Sequence, residues 1–306
     1  MKKILITGSS GTIGTRLGER LLNLGYEIKG VDWKKNKWIN DLERKTIHID
    51  LRSKKLVLEK LPKNIDLIIH LAANARVYEL VKNPDLARDN MITTYNILEY
   101  ARINKIKNII FASSREVYGN TKEVKHKEDD VRIFNCESTY TASKILGEAL
   151  IHSYNKCFDI NYVIVRFSNV YGIYDESDRV VPLFIRKAKR NESLMVFGKD
   201  KILDFTYIDD AVDGVIRVIK KFNFVKNNTF NIATGKGTKI LYVAKLIKKF
   251  LNSRSKIIIK KNRPGEVVKY IADISKAKKL LNYQPKTDIE NGIKKSIDWY
   301  KTLYLV

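Results

Sequence analysis

The 306-residue chain is poor in several residue types that would define a class on their own. Two cysteines, Cys136 and Cys157, are too few for a disulfide framework and lack metal-ligand spacing; they point to a reducing compartment and give structural zinc no ligand set. Five prolines and 15 glycines exclude collagen-like and low-complexity classes. No apolar run approaches the ~18 residues of a membrane span. Ile4-Leu5-Ile6 already reads as strand where a leader would lie, so the expected setting is cytoplasmic, without a membrane partner. Acidic residues are scarce: 34 Asp+Glu face 58 Lys+Arg, a formal charge of +24. That balance invites a nucleic-acid, membrane-surface or polyanion-handling reading. The lysines, however, come as scattered doublets (Lys34-Lys35, Lys220-Lys221, Lys248-Lys249, Lys278-Lys279), the pattern of a solvated surface rather than one patch, which makes nucleic acid a minor alternative.

What is present is a globular composition, 44% hydrophobic, long enough for one large domain or two smaller ones. Short aliphatic runs at Lys3–Thr7, Tyr26–Val31, Thr46–Asp50, Asp66–His70, Asn108–Ala112 and Tyr162–Val165 read as strands. Helix-period segments separate them, with Leu17, Leu21 and Leu24 on one face of the first and a second running from Leu86 to Asn104. This alternation predicts a doubly wound parallel α/β sheet of Rossmann type covered on both faces. After Ser168 the rhythm loosens, with Lys239–Phe250 and Ile289–Tyr300 the clearest helices, and a smaller C-terminal substrate-binding cap is expected. The expected division is a cofactor-binding domain over 1–167, with a return segment near 204–235, and a mainly substrate-binding domain over 168–306.

Gly8-Ser9-Ser10-Gly11-Thr12-Ile13-Gly14 stands between the first strand and the first helix. Glycines there permit unusual dihedrals, close approach of a pyrophosphate and close helix packing, while the helix N-terminus offers free N–H groups to the anion. Asp32 ends the second strand, placed to hold an adenosine ribose 2′-hydroxyl and repel a 2′-phosphate. NAD is therefore favoured over NADP, although Lys34, Lys35 and Lys37 partly offset that repulsion.

Tyr140 and Lys144 are four apart at the start of a helical segment, hence on one face. A phenol with a pKa near 10 is a poor base at neutral pH, and a neighbouring cation favours its ionised form. Ser113-Ser114 ends the Asn108 strand, at the carboxyl edge where open α/β sheets bind ligands.

Together these features resemble the extended short-chain dehydrogenase/reductase superfamily, in particular its NAD-dependent nucleotide-sugar epimerase/dehydratase branch. Further carriers are Asp50-Leu51, His70-Leu71-Ala72-Ala73, Asn90, Ser113 to Gly119, Arg166 to Gly172 and Arg263-Pro264-Gly265-Glu266, so the resemblance spans the chain. It implies Tyr140 as general base, Lys144 lowering its pKa and holding the nicotinamide ribose, and Ser114 bonding the sugar 4-oxygen. It implies Asp50 and Leu51 beside the adenine, Leu71, Ala72, Ala73 and Asn90 along the cofactor, and Glu116, Asn169, Arg263 and Glu266 lining the nucleotide-sugar pocket, with Arg263 at a phosphate. It also implies a homodimer through the Leu86–Asn104 helix and the one beginning near Tyr140.

Within that branch, dehydratases place an Asp-Glu pair before Val-Tyr-Gly; here the pair is Arg115-Glu116. Dehydration or decarboxylation through Glu116 stays as the alternative. The expected reaction is 4-epimerisation of the UDP-glucose/UDP-galactose type through a 4-keto intermediate, with NAD regenerated and no metal. Tyr270 falls where relatives carry a pocket-size gate and predicts preference for plain over N-acetylated hexoses. Leu203-Asp204-Phe205 replaces the usual Arg-Asp-Phe, leaving Lys201 or Lys199 as stand-ins at the diphosphate without Arg's bidentate fork. Thr12 replaces an aromatic, and Cys136-Glu137-Ser138-Thr139 lacks the usual Pro before the tyrosine.

Overall fold

A computed structural model describes residues 1–303. Its first half runs β1 (Lys3–Thr7), α1 (Thr12–Asn23), β2 (Glu27–Asp32), α2 (Asn40–Arg44), β3 (Thr46–His48), α3 (Lys54–Lys60), β4 (Leu67–His70), α4 (Val77–Lys82), α5 (Asp85–Ile103) and β5 (Asn108–Ser114). It continues through β6 (Lys125–His126), α6 (Thr139–Phe158), β7 (Asn161–Phe167), β8 (Asn169–Tyr171), α7 (Val180–Lys189), β9 (Leu194–Phe197) and β10 (Ile202–Tyr207). Last come α8 (Ile208–Val225), β11 (Asn228–Ile232), β12 (Gly237–Lys239), α9 (Ile240–Phe250), β13 (Ile257–Lys260), β14 (Ile271–Ala272) and α10 (Ile289–Leu303).

Seven strands pair in parallel in the order β11-β7-β5-β4-β1-β2-β3. The order reverses between β1 and β4, and at such a switch point the carboxyl strand ends part to leave a crevice. The strands are apolar on both faces because both are covered. Ile4 and Ile6 join one core cluster while Leu5 joins the other, and the same alternation separates Ile69 from Ile68 and Val163 from Ile164. The first cluster continues from the sheet into the region of α7, α9 and α10, so the C-terminal elements share a core with the sheet. Those elements carry three small sheets, β12-β10-β8, β13-β9 and β14-β6.

The expected strands are present with shifted ends. β3 stops at His48, which leaves Asp50 and Leu51 in the connection to α3, and β5 and β7 extend to Ser114 and Phe167. β11, from the far end of the chain, closes the sheet by pairing with β7, Val163 opposite Asn228.

Candidate functional site

β1 ends at Thr7, and the chain turns through Gly8 at φ +72°. A Cβ at Gly8 would lie 2.8 Å from the Ala72 nitrogen, and one at Gly14 only 2.1 Å from the Gly8 oxygen. Both glycines therefore keep α1 pressed against the strand ends. No side chain caps α1, whose first N–H groups are left to a ligand. With the helix dipole they form an anion site. Thr12, in the place of the expected aromatic, donates from Oγ1 to the Tyr174 carbonyl at 3.3 Å, tying the turn to the segment after β8.

A cavity of about 780 Å³ extends from this turn over the β1/β4 crevice. Asp32 stands at its far side, its carboxylate accepting from the Ser10 N–H at 3.0 Å and the Lys34 N–H at 2.9 Å. Burial holds its carboxyl above the usual carboxylate range, with those N–H groups pulling the other way. Gly8, Gly11, Asp50, Leu51 and Leu71 to Ala73 line the walls. Asn90 reaches the cavity too, but its amide is engaged: Oδ1 accepts from the Asn74 N–H at 2.7 Å, and Nδ2 donates to the Asn74 carbonyl and the Ser143 hydroxyl. Sequence reasoning passed over Trp33 and Arg52 at the rim; Arg52 is held by Asp50 and Asp89, and its guanidinium lies 5.6 Å from the Trp33 ring. A glycine cradle, uncapped helix and terminal acid fit an adenine dinucleotide.

A second cavity adjoins the first along Gly8, Gly11, Thr12, Leu71 and Ala73. Ile13 and Gly14 also line it. Ser138 caps α6 by accepting from the Thr141 N–H at 3.2 Å, which starts the helix without the expected proline. One residue into that helix is Tyr140; Lys144 follows a turn later and donates from Nζ to the Ala112 carbonyl at 2.8 Å. Both side chains are buried. Burial lowers the Lys144 ammonium to about 8, opposed by the Glu148 carboxylate. Burial also raises the Tyr140 phenol, while a hydrogen bond with Ser114 and the charges of Arg179 and Arg115 pull it down. Ser114 closes β5 beside it, its hydroxyl also accepting from the Glu116 N–H at 3.2 Å. Beneath them His70, pushed by burial to about 3, is a neutral scaffold bonding Thr7 at 2.7 Å and Thr94 at 3.3 Å.

Glu116 lines the second cavity but is bound: Arg115 Nη2 lies 2.6 Å from its Oε1, and its Oε2 accepts from the Val267 N–H. Lys201 pairs with Glu266 at 2.6 Å inside the same cavity, whereas Lys199 is exposed and does not line it. Leu203 is buried in the wall. Asn169 faces the cavity with Nδ2 donating to the Asp204 carbonyl at 3.0 Å. The Arg263 guanidinium is 3.9 Å from the Phe197 ring centroid and 4.6 Å from that of Tyr78, two aromatics that sequence reasoning missed.

Tyr270 does not line the cavity, and the expectation of a pocket-size gate there is corrected. It is fully buried, stacked on Tyr118 at 5.6 Å and His126 at 5.8 Å, because pairing of β14 with β6 draws its neighbour Ile271 against Lys125 beneath the cleft floor. The Arg115 guanidinium lies over its ring at 5.8 Å, and Arg115, not Tyr270, lines the cavity. Arg179 is a further lining residue that sequence reasoning missed. It precedes the amphipathic helix α7, where an arginine carries no distinctive signal.

The sequence matches the NAD dependent epimerase/dehydratase family over residues 4–233. The UDP-glucuronate 4-epimerase of Thermodesulfobacterium geofontis is 30% identical, covering 97% of this chain and 95% of that protein. The UDP-glucose 4-epimerase of Thermotoga maritima, solved with UDP-glucose, superposes with a TM-score of 0.89 at 28% identity, covering 98% of this chain and 99% of its own. The UDP-glucuronic acid 4-epimerase of Bacillus cereus, solved with UDP-glucuronic acid and NAD, superposes with a TM-score of 0.91 at 30% identity, covering 99% and 100%.

Proposed function

From the premise that the chain belongs to the NAD dependent epimerase/dehydratase family, we propose that it is a UDP-sugar 4-epimerase whose base is Tyr140. NAD is the cofactor, and when bound it supplies the acceptor and later the donor of a hydride. The observation that carries the reading is the convergence of Ser114, Tyr140 and Lys144 in a cavity that adjoins the dinucleotide-fitting one. Tyr140 takes the proton of the sugar 4-hydroxyl as the C4–H pair departs, leaving a 4-keto sugar. Ser114 donates to the 4-oxygen and keeps it oriented. Lys144, cationic at neutral pH, offsets the charge of the phenolate. After the keto sugar turns, the proton on Tyr140 returns to the oxygen as C4 regains its hydrogen on the opposite face.

Glu116 bears on the alternatives. Its carboxylate is held by Arg115 and Val267, and burial raises its pKa. A base for elimination needs a free carboxylate at the reacting carbon, so dehydration is disfavoured. Arg263, Lys201 and Asn169 are assigned to the nucleotide diphosphate, with Phe197 and Tyr78 as apolar walls. Residues 1–167 with the 204–235 return are assigned to the cofactor, and 168–306 mainly to the sugar. Exposed Tyr95, Ile103, Leu146 and Phe158 on α5 and α6 support pairing of two copies there, which sedimentation measures.

The test is incubation of NAD-loaded protein with UDP-sugars, reading C4 inversion by NMR. Interconversion without net NADH is expected, with a loss of roughly 1,000-fold in Tyr140→Phe, since a positioned base contributes about 10²–10⁴. Accumulation of a 4-keto-6-deoxy sugar would refute epimerisation.

A further inference from the structure

We infer that the sugar taken by this site carries a carboxylate on the carbon next to C4, a UDP-hexuronate rather than a neutral hexose, and that Arg115 and Arg179 receive it. The inference rests on the 4-epimerase reading above and goes beyond it in naming the substrate class.

Charge balance is the first observation. Six cationic and three anionic side chains line the sugar cavity, an excess of three. The diphosphate of a UDP-sugar offsets about two of these. The third is Lys144, which the Tyr140 phenolate offsets, so the tally alone does not separate a neutral hexose from a hexuronate and the placement of the cations decides.

The second observation is where the excess sits. Glu116 is matched by Arg115, Glu266 by Lys201, and Asp178 by Arg186 at 2.7 Å and Arg76 at 3.5 Å. Arg179 has no side-chain hydrogen bond or ion pair among the described residues. Arg115 faces Glu116 through Nη2 and lies over the Tyr270 ring, while Nη1 is buried with no hydrogen-bond partner. Arg115 is 7% exposed, so water cannot readily stand in. A buried donor left unsatisfied costs about 1–3 kcal/mol, more when charged, unless a ligand completes it. Arg179, whose guanidinium has no partner among the described residues and can bond a carboxylate in a planar fork, and Arg115, with Nη1 still to be bonded, supply donors that match a carboxylate.

The third observation is position. Arg115 directly follows Ser114 in the chain and lines the same cavity as Tyr140 and Arg179, and the charges of both arginines favour the ionised Tyr140 phenol. Arg115 also covers the Tyr270 ring, placing a cation where an aromatic wall was expected.

The experiment compares kcat/KM for UDP-glucuronate and UDP-glucose in the NAD-loaded protein and in two variants. Arg179→Gln removes the unpaired cation from a part-buried position; Arg115→Lys keeps a charge for Glu116 while losing the Nη1 donor. The native protein is expected to prefer UDP-glucuronate by about 100-fold, the scale of one charge-assisted contact made only by the uronate. Each variant is expected to reduce the uronate-to-hexose ratio at least tenfold. Equal or better turnover of UDP-glucose overturns this inference and keeps the epimerase. An unchanged ratio in both variants overturns the arginine assignment. Turnover of no UDP-sugar overturns the epimerase reading and this inference with it.

Discussion

Gly14→Ala isolates one geometric requirement of the cofactor site. The added Cβ would lie 2.1 Å from the Gly8 oxygen and 2.8 Å from the Ser9 Cα, both backbone atoms of the turn. Ordinary carbon–oxygen contact begins near 3.3 Å, so the start of α1 must retreat by about 1.2 Å. An N–H···O bond of about 2.9 Å then opens beyond 4 Å and is lost. Bonds to a charged acceptor contribute about 1.5–3 kcal/mol each. Loss of two gives roughly 3–6 kcal/mol, or a factor of about 10²–10⁴ in the dissociation constant. Gly25→Ala is the control: its φ is +79°, yet nothing lies within 4 Å of the new Cβ. It should lower stability by about 1–2 kcal/mol through backbone strain and leave cofactor affinity alone. Calorimetric titration of NAD into stripped protein reads the affinities, and scanning calorimetry reads the stabilities. NAD binding by Gly14→Ala within threefold of the native protein would refute the reasoning, as would an equal loss in Gly25→Ala.

Three further outcomes are expected. Lys144 titrates near 8 when folded and about 10.4 when unfolded, so the unfolded chain binds more protons between these values and native stability rises with pH across that window. Lys144→Met removes the buried charge at the cost of the bond to Ala112; at pH 7 the cofactor-free protein should gain about 2 kcal/mol while turnover falls at least about 100-fold, and a lower Tm would contradict this. Glu148→Gln strands the Arg166 guanidinium, which is buried and fork-bonded to Glu148 at 2.9 and 2.7 Å. Urea unfolding should show a loss of about 3–5 kcal/mol, largely recovered with Arg166→Met added; a single-variant loss under about 1 kcal/mol would show the pair to be screened. Tyr270→Phe deletes a buried hydroxyl without a partner, so stability should hold or rise by up to about 1 kcal/mol. Its discrimination between plain and N-acetylated UDP-hexoses should not move, and a change beyond threefold would return Tyr270 to the cleft.

How far the sequence discloses this molecule depends on how local each feature is. The glycine turn is readable because its three glycines, strand and helix are contiguous, and the space that forbids a Cβ at Gly14 belongs to Gly8 in the same turn. Tyr140 and Lys144 are readable because helical spacing alone brings them together, and Ser138 supplies the cap that a missing proline seemed to remove. The sugar end has no such spacing. Glu266 meets Lys201 across 65 positions, and Glu116 meets Val267 across 151, through pairings of short strands whose composition does not announce a partner. Tyr270 was misplaced for the same reason: whether an aromatic faces a cleft or the layer beneath it is decided by the two-residue pairing of β14 with β6 and by Arg115 lying over its ring. The unusual Arg115 thus bears on three features at once. It binds Glu116 and so withdraws a base, it covers Tyr270 and so withdraws an aromatic wall, and it leaves one buried nitrogen without a partner beside the tyrosine. On the proposed reading one residue of the Ser-Ser-x-Glu segment both holds Glu116 back from elimination and offers a cation to the sugar, which makes Arg115→Lys the variant that bears most directly on what this site accepts.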